Sequence, residues 1–477
     1  MRWSFAENIV SQVLQFSIAI ALARLLVPKD FGLIGMLSFF IVVSESFIDG
    51  GFSQALIRDN TSAPEDYSTV FFYNIAVGLF LYCALFGCSG FIGGFFAEPR
   101  LVSIVKVLGL GIVISSFSTI QRTLLTKDVN FKLQTKITIL SSTVSGIIGI
   151  GMAFLGWGVW SLVWKKISEY TINTAMLWVW NGWRPTLVFD TEAFRKLFKF
   201  GSKLLVSGLL NTTFNNAYSV VIGKWFSATD LGYYNRAAQF GTLPPQSLTY
   251  GIQRVSFPVL ASVQNDKARL KRGYKNLIKN VTFISFAMMI GLSASAKVVV
   301  LTFIGDQWLP VVPYLRLMCF LGMMYPLHAI NLNMLTVLGR SDRFLKLEII
   351  KKILVVPALA AGIYWGIKVL IIFMCFNSIV SYYINSYWSG SMIDYRLKEQ
   401  IVDILPSFAL AVVIGIAVWS VSLVAHFVPP VVLLIQTAVG LSILIAVGES
   451  LKMETYFQLR EIVASTIIRR RTAVQTP

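Results

Sequence analysis

Apolar residues fall in long runs along almost the whole chain, separated by short polar gaps. A helix that crosses a bilayer needs about 20 apolar residues. By that measure the chain holds about fourteen spans, over 6–27, 31–55, 68–96, 101–121, 137–155, 158–179, 202–224, 232–260, 281–304, 311–338, 347–366, 369–389, 403–426 and 430–448. The basic residues gather in every second gap. Gaps with Arg122, Lys127, Lys132 and Lys136, or with Arg195, Lys196, Lys199 and Lys203, alternate with gaps holding one basic residue or none. Basic loops stay on the cytoplasmic side. The pattern therefore predicts an all-α, polytopic integral membrane protein with both ends inside. The cytoplasmic gaps are 56–67, 122–136, 180–201, 261–280, 339–346 and 390–402, with the tail after 448. Gap 261–280 and the tail ending Arg469-Arg470-Arg471 carry the strongest inside signals. Gap 56–67 carries the weakest, because Arg58 is outnumbered by Asp59, Glu65 and Asp66, but acidic residues count little in this rule.

The pattern repeats at an offset of 200 residues. Segment 23–40 reads ARLLVPKDFGLIGMLSFF and 223–240 reads GKWFSATDLGYYNRAAQF, so Asp30 meets Asp230, Gly32 meets Gly232, Phe40 meets Phe240 and Arg24 meets Lys224. Further on, Gly51 meets Gly251. At each turn the aspartate is placed to cap the incoming helix. The repeat predicts two pseudo-symmetric six-helix lobes, 1–179 and 202–389, joined by a cytoplasmic linker at 180–201. Two additional helices at 390–448 and a basic tail at 449–477 follow. Parallel repeats of this kind mark transporters with a substrate site between the halves.

Within the apolar runs some polar residues recur at helical spacing. In the first span Glu7, Ser11 and Gln15 are four apart; in the seventh Ser207, Asn211 and Asn215 are four apart, followed by Tyr218. Residues four apart share a helix face. Such stripes are costly against lipid and are expected to face the bundle interior, as a water-filled cavity or as helix–helix hydrogen bonds. The second span carries Ser38, Glu45 and Asp49, and the eighth carries Arg236, Gln239, Gln246, Tyr250 and Arg254. For Arg236 and Arg254, snorkelling to the interface is the alternative to a cavity role. Pro244-Pro245 sits mid-span in the eighth helix and is expected to interrupt and bend it.

Composition agrees with a membrane protein: 56% of residues are apolar and 13% charged, whereas soluble domains carry about a quarter charged residues. The net charge of +18 sits in short loops, so orientation and attraction to anionic lipid account for it, and no nucleic acid partner is expected. No cleavable signal pattern precedes the first span. Cys83, Cys88, Cys319 and Cys375 all lie in apolar runs and are expected to be buried, reduced thiols. His328 and His426 are too far apart for a metal site, and no GxxxxGK, GxSxG, HExxH or CxxC motif occurs. No cofactor and no enzymatic chemistry are expected. Asp59, Glu65 and Asp66 read as a solvated acidic loop, and the sequons at Asn60 and Asn211 as chance.

Several segments together resemble a known family. ARLLVPKDFGLIGM at 23–36, DGGFSQALI at 49–57, GWGVWSLV at 156–163 and WRPTL at 183–187 are followed by GYYNRAAQF at 232–240, FPVLASVQND at 257–266 and GDQWLPVVPYLRLM at 305–318. In order and spacing they are similar to the polysaccharide transporters, the lipid-linked oligosaccharide flippases of the O-antigen and exopolysaccharide type, and among them to the colanic acid exporter branch. The likeness extends to about residue 400. In one place the chain departs from the pattern: family members usually carry a basic stretch ahead of the Trp-Ser that stands here as Trp3-Ser4, where this chain has Met1-Arg2.

The resemblance implies two six-helix lobes like those of multidrug exporters, with two further helices, in the cytoplasmic (inner) membrane. The implied substrate is undecaprenyl diphosphate bearing a sugar repeat unit, moved to the outer leaflet. Implied partners are that lipid-linked oligosaccharide, membrane lipids, and the polymerase and assembly proteins that take the product. Neither a diphosphate nor sugar hydroxyls cross hydrocarbon unaided. Arg24, Lys224 and Arg236 are the expected cationic contacts to the diphosphate. Gln15, Asn211, Asn215 and Gln239 suit sugars, and the cavity of helices 1, 2, 7 and 8 is expected to be net cationic. Glu45 and Asp49 are the candidates for coupling a proton or sodium ion, or for fixed pairing with Arg24, Arg58 or Arg254. A cation-coupled exporter of small amphiphiles on the same fold is the second reading. A membrane polymerase or ligase is the third, and it would need a long outer loop that is absent.

Overall fold

Proline and glycine set the ends of the helices. Pro28 opens one helix and Gly50 closes it in the left-handed region (φ 55°). Gly51 (φ 74°) then opens the next. Two successive positive φ values are cheap only for glycine. The span expected at 31–55 is therefore two helices separated by a Gly-Gly break.

A computed structural model describes residues 2–59, 61–425 and 427–461. The side chains of Glu7 and Arg254, together with Asn60, His426 and the Arg469–Arg471 tail, lie outside the described residues. Apart from one short 3-10 turn at Asp306–Trp308, every regular element among the described residues is an α-helix. The helices run α1 Arg2–Leu25, α2 Pro28–Asp49, α3 Phe52–Arg58, α4 Pro64–Gly87, α5 Ser89–Phe95, α6 Arg100–Ser116, α7 Thr119–Lys127, α8 Phe131–Phe154 and α9 Val159–Trp180. They continue as α10 Thr191–Trp225, α11 Ala228–Ser262, α12 Lys267–Phe303, α13 Val311–Val337, α14 Ser341–Trp365, α15 Ile367–Gly390, α16 Leu397–Val424 and α17 Pro429–Ser450.

Eight helical stretches are long and apolar enough to cross a membrane, and nine if α6 and α7, bent by 41° at their junction, form one broken span. That count falls short of fourteen because α9, α10, α11 and α14 do not qualify and α1 supplies only Val10–Leu25. Charged or polar side chains inside these helices, such as Lys165, Lys166 and Glu169 in α9, lower their hydropathy. The protein is a multi-pass, all-helical membrane protein. α11 is one continuous helix across Pro244, Pro245 and Pro258, so the expected interruption at Pro244-Pro245 does not occur.

The described residues divide into two compact units, residues 1–235 and 236–477. In the first, α8 carries small residues along one face, so α1 and α9 approach it closely. A Cβ on Gly146 would meet Ile18, and one on Gly149 would meet Lys165. Small residues are how membrane helices come close. Phe52, Leu56, Phe71, Ile120 and Leu197 form an apolar core beneath α3 and α7. The opening turns of α2 and α11 cross backbone to backbone. A Cβ on Gly32 would lie 3.0 Å from Ala228 Cα, and one on Gly232 would lie 2.9 Å from the Pro28 carbonyl carbon. Residues 28 and 228, like 32 and 232, are repeat mates.

The aspartates of the repeat act at the third helical position. Ser227 and Asp230 form a reciprocal box on α11: the Asp230 N–H donates to Ser227 Oγ (3.0 Å) and the Ser227 hydroxyl to Asp230 Oδ2 (2.6 Å). Asp30, buried in α2, accepts from the backbone N–H groups of Val27 and Val159. The acidic loop is structural too. Asp59 pairs with Lys196 (2.6 Å), and Asp66 accepts from the Ala63 N–H (2.9 Å).

In the second unit, α12 packs along α13 and α16, α14 along α15, and α16 along α17. Phe283, Leu410, Ile414 and Val418 form its apolar seam. Outside that seam lies a network of charges. Lys271 and Lys275 reach Glu399 (2.8 and 3.2 Å), and Lys275 and Lys279 reach Asp403 (3.0 and 3.7 Å). Lys279 also reaches Glu454 (3.5 Å). Cys319 is buried, but Cys83 and Cys88 are exposed and Cys375 is half-buried. The expected burial of all four thiols therefore fails, because hydropathy does not tell which side of a helix faces its neighbours.

Candidate functional site

A cavity of about 550 Å³ opens within the first unit, walled by α2, α3 and α6 to α9. Glu45 and Asp49, four apart on α2, both line it. The helix pitch places them one turn apart on one face. Glu45 Oε1 accepts from the Tyr170 hydroxyl (2.7 Å) on α9, and Asp49 Oδ2 accepts from the Gly51 N–H (3.2 Å). Among the described residues neither carboxylate lies in an ion pair. Arg58 instead sits over the Phe200 ring at 4.7 Å.

α9 supplies the opposite wall. Lys166, Glu169, Tyr170 and Asn173 line the cavity. Glu169 is held by Lys165 (3.3 Å) and Lys166 (3.9 Å). Arg122, in the first turn of α7, donates to Asn173 Oδ1 at 3.0 Å. The cavity thus carries three carboxylates and two cations. These α9 residues are absent from the candidates drawn from the sequence. The readable signal was there: Lys165, Lys166 and Glu169 stand inside an apolar run at helical spacing, where ionisable groups are rare unless they serve a function.

The other candidates lie elsewhere, and none of them lines this cavity. Gln15, Asn211 and Asn215 are exposed on α1 and α10. Arg24 is exposed at the end of α1. Lys224, also exposed, donates to the Phe95 carbonyl at 2.6 Å and lies 4.6 Å from the centre of its ring. Arg236, in the second unit, is 5% exposed; it donates to Gln239 Oε1 at 2.6 Å and stacks 5.2 Å above Trp308. Snorkelling therefore does not describe Arg236, whose guanidinium is enclosed by protein. His328 is likewise a satisfied core histidine, bonded to Ser378 (2.8 Å) and Asn385 (3.3 Å). Among the described residues no group of His, Cys, Asp and Glu is placed to hold a metal ion.

Comparison with known proteins now adds to this geometry. The chain is 27% identical to the teichuronic acid biosynthesis protein TuaB of Bacillus subtilis (strain 168) over 391 residues, 81% of each chain. It is 25% identical to the lipopolysaccharide biosynthesis protein WzxC of Escherichia coli (strain K12) over 76% of this chain and 74% of that one. It is also 25% identical to the succinoglycan biosynthesis transport protein ExoT of Rhizobium meliloti (strain 1021), over 66% of this chain and 64% of that one. Its fold is similar to that of the lipid II flippase MurJ in an inward closed conformation, with a TM-score of 0.74 and 14% identity over 94% of this chain and 100% of that one. An inward-facing multidrug resistance MATE family transporter shares the fold at a TM-score of 0.62, with 15% identity over 80% of this chain and 94% of that one. The model of the polysaccharide biosynthesis protein family matches residues 21–313. More than half of the sequence lies within that match, and the chain belongs to the polysaccharide biosynthesis protein family.

Proposed function

We propose that this chain is a flippase, moving a polyisoprenyl-diphosphate-linked oligosaccharide across the cytoplasmic membrane by alternating access for cell-surface polysaccharide assembly. The observation that carries this reading is the cavity of ionisable and hydroxyl side chains sunk among apolar helices. Such groups are costly in a membrane interior and are kept where a polar solute must pass. The family match and the relatives named for polysaccharide biosynthesis and transport support it. The fold shared with a lipid II flippase supports it as well. The lipid tail stays in the bilayer while protein groups replace water around the headgroup.

In this reading the chain crosses the membrane fourteen times with both ends cytoplasmic, as two six-helix halves and two further helices. Polymerase and assembly proteins take the product on the far side. Arg24, Lys224 and Arg236 serve the diphosphate, and Gln15, Asn211, Asn215 and Gln239 serve the sugars. Glu45 and Asp49 set the energetics of alternation. A proton or sodium ion bound there more tightly in one facing state than in the other biases the cycle. Deletion of the gene, followed by leaflet-resolved analysis of lipid-linked sugars, tests the function. The oligosaccharide-bearing lipid should accumulate in the inner leaflet and return to normal with the gene restored. Unchanged leaflet distribution would refute the reading.

A further inference from the structure

The wall of the cavity in the first unit has a chemical bias. Of the side chains that line it, Ile48 and Ile57 are the apolar ones. Its volume of about 550 Å³ lies in the range of small-ligand sites, roughly 300–1,000 Å³. Its hydroxyls are committed inward. Ser118 donates to Ser115 O (2.7 Å), Thr119 to the same oxygen (3.2 Å), Thr126 to Arg122 O (3.0 Å) and Thr138 to Gln134 O (2.9 Å). A hydroxyl has one proton and two lone pairs, so each of these groups offers the cavity only acceptors. Glu45 and Asp49 add carboxylate oxygens as further acceptors.

Part of the donor capacity of the wall is engaged with protein. The Tyr170 proton lies on Glu45 (2.7 Å), Arg122 donates to Asn173 (3.0 Å), and Lys166 leans toward Glu169 (3.9 Å). A diphosphate is itself acceptor-only and would face three carboxylates here. Among the described residues no group of three or more His, Cys, Asp and Glu side chains is placed to hold a metal ion. Acceptors spread over the wall, beside the N–H groups of Arg122, Lys166 and Asn173, match a ligand whose groups both donate and accept, as hydroxyls do.

From this we infer that the cavity is a binding site for the sugar hydroxyls of the substrate, separate from the groups that hold the diphosphate. The inference rests on the proposed flippase function and assigns one part of the headgroup to one cavity.

The test replaces Thr119→Val and Thr138→Val together, which removes two acceptors while keeping branched side chains of similar shape. The purified full chain is compared with the double variant for binding of two probes. One is the oligosaccharide-bearing lipid extracted from the host; the other is undecaprenyl diphosphate without sugar. Loss of two hydrogen bonds should weaken binding of the sugar-bearing lipid about tenfold. Binding of the sugarless lipid should stay at the parent value. Equal binding of the sugar-bearing lipid by parent and variant would overturn the inference, and so would an equal loss for both probes. Reconstituted vesicles separate the two readings. A parent chain that binds but does not move the sugar-bearing lipid refutes the flippase function. A parent that moves it alongside an unimpaired variant refutes only the cavity assignment.

Discussion

Gly32→Ala tests whether the crossing of α2 with the first turns of α11 is a true backbone contact. In an ordinary helix interior, replacing glycine by alanine stabilises by about 1 kcal/mol, because glycine loses more backbone freedom on folding. At Gly32 the sign should reverse. The added methyl would lie 3.0 Å from Ala228 Cα and closer still to the Ala228 carbonyl oxygen. Carbon atoms rest at roughly 3.5–4.0 Å, so the two backbones must part by at least ~0.5 Å. Overpacking a tight interior costs about 1–3 kcal/mol. The upper end applies here, since a helix backbone cannot rotate aside as a side chain can. Gly291 is the control, because a Cβ there meets nothing within 4 Å. Thermal unfolding of the detergent-solubilised fluorescent fusion, followed by size-exclusion chromatography, reads the difference. The Gly32→Ala variant should melt clearly below the parent, with Gly232→Ala close to it, while Gly291→Ala melts at or above the parent. A Gly32→Ala variant as stable as Gly291→Ala would refute the backbone contact.

Four further outcomes are expected. Glu45→Gln should abolish gradient-driven transport while leaving substrate binding measurable; full response to proton and sodium gradients in that variant would remove Glu45 from coupling. Arg236→Ala should impair transport with Arg236→Lys retaining part of it, since the enclosed guanidinium bonds Gln239 and stacks on Trp308; equal activity of Arg236→Ala and parent would leave it a packing group. A cysteine at Thr229 should react with an impermeant reagent added outside and one at Lys271 should not, in a Cys83→Ser, Cys88→Ser background, and the reverse pattern would overturn the topology. The Asp403 carboxylate, and after it Glu399, holds the Lys275 ammonium above its ordinary pKa of 10.5. Its contribution to stability is therefore complete at neutral pH and is lost only as pH rises past the ordinary lysine range. Melting curves at pH 7 and pH 9 should show no difference between parent and Lys275→Met that depends on pH.

The helices were readable because membrane helices must be apolar over a fixed length, and that signature survives in a single sequence. The repeat was readable for a similar reason: a turn in which backbones meet requires the same small residue at Gly32 and Gly232. What failed was the identity of faces. In water an apolar residue points inward, but in a bilayer Cys83 and Cys319 are equally at home outside and inside the bundle. The polar stripes of α1 and α10 were legible as stripes, yet the cavity that the structure shows is walled by α2, α3 and α6 to α9. Glu45 and Asp49 were found because a carboxylate pair in an apolar run stands out. Glu169 stood in an equally apolar run beside Lys165 and Lys166, and none of the three was among the candidates drawn from the sequence. Donor and acceptor bias was beyond the sequence altogether, since it depends on which carbonyl each hydroxyl meets.

The charge network that ties α12 to α16 has a practical side. Lys271, Lys275 and Lys279 bind Glu399, Asp403 and Glu454 at helix ends, beyond the apolar seam of Phe283 and Leu410. Exchange of lipid for detergent changes the medium around the seam rather than these ion pairs, whose Asp403 carboxylate is only 11% exposed. Dissolved salt does the opposite, shortening the reach of charge to about 3 Å at 1 M while leaving apolar contacts intact. Detergent and ionic strength therefore act on different parts of one helix pair. Extraction in moderate salt keeps both fastenings, whereas a high-salt wash used to strip bound lipid loosens the aqueous end of α12 first.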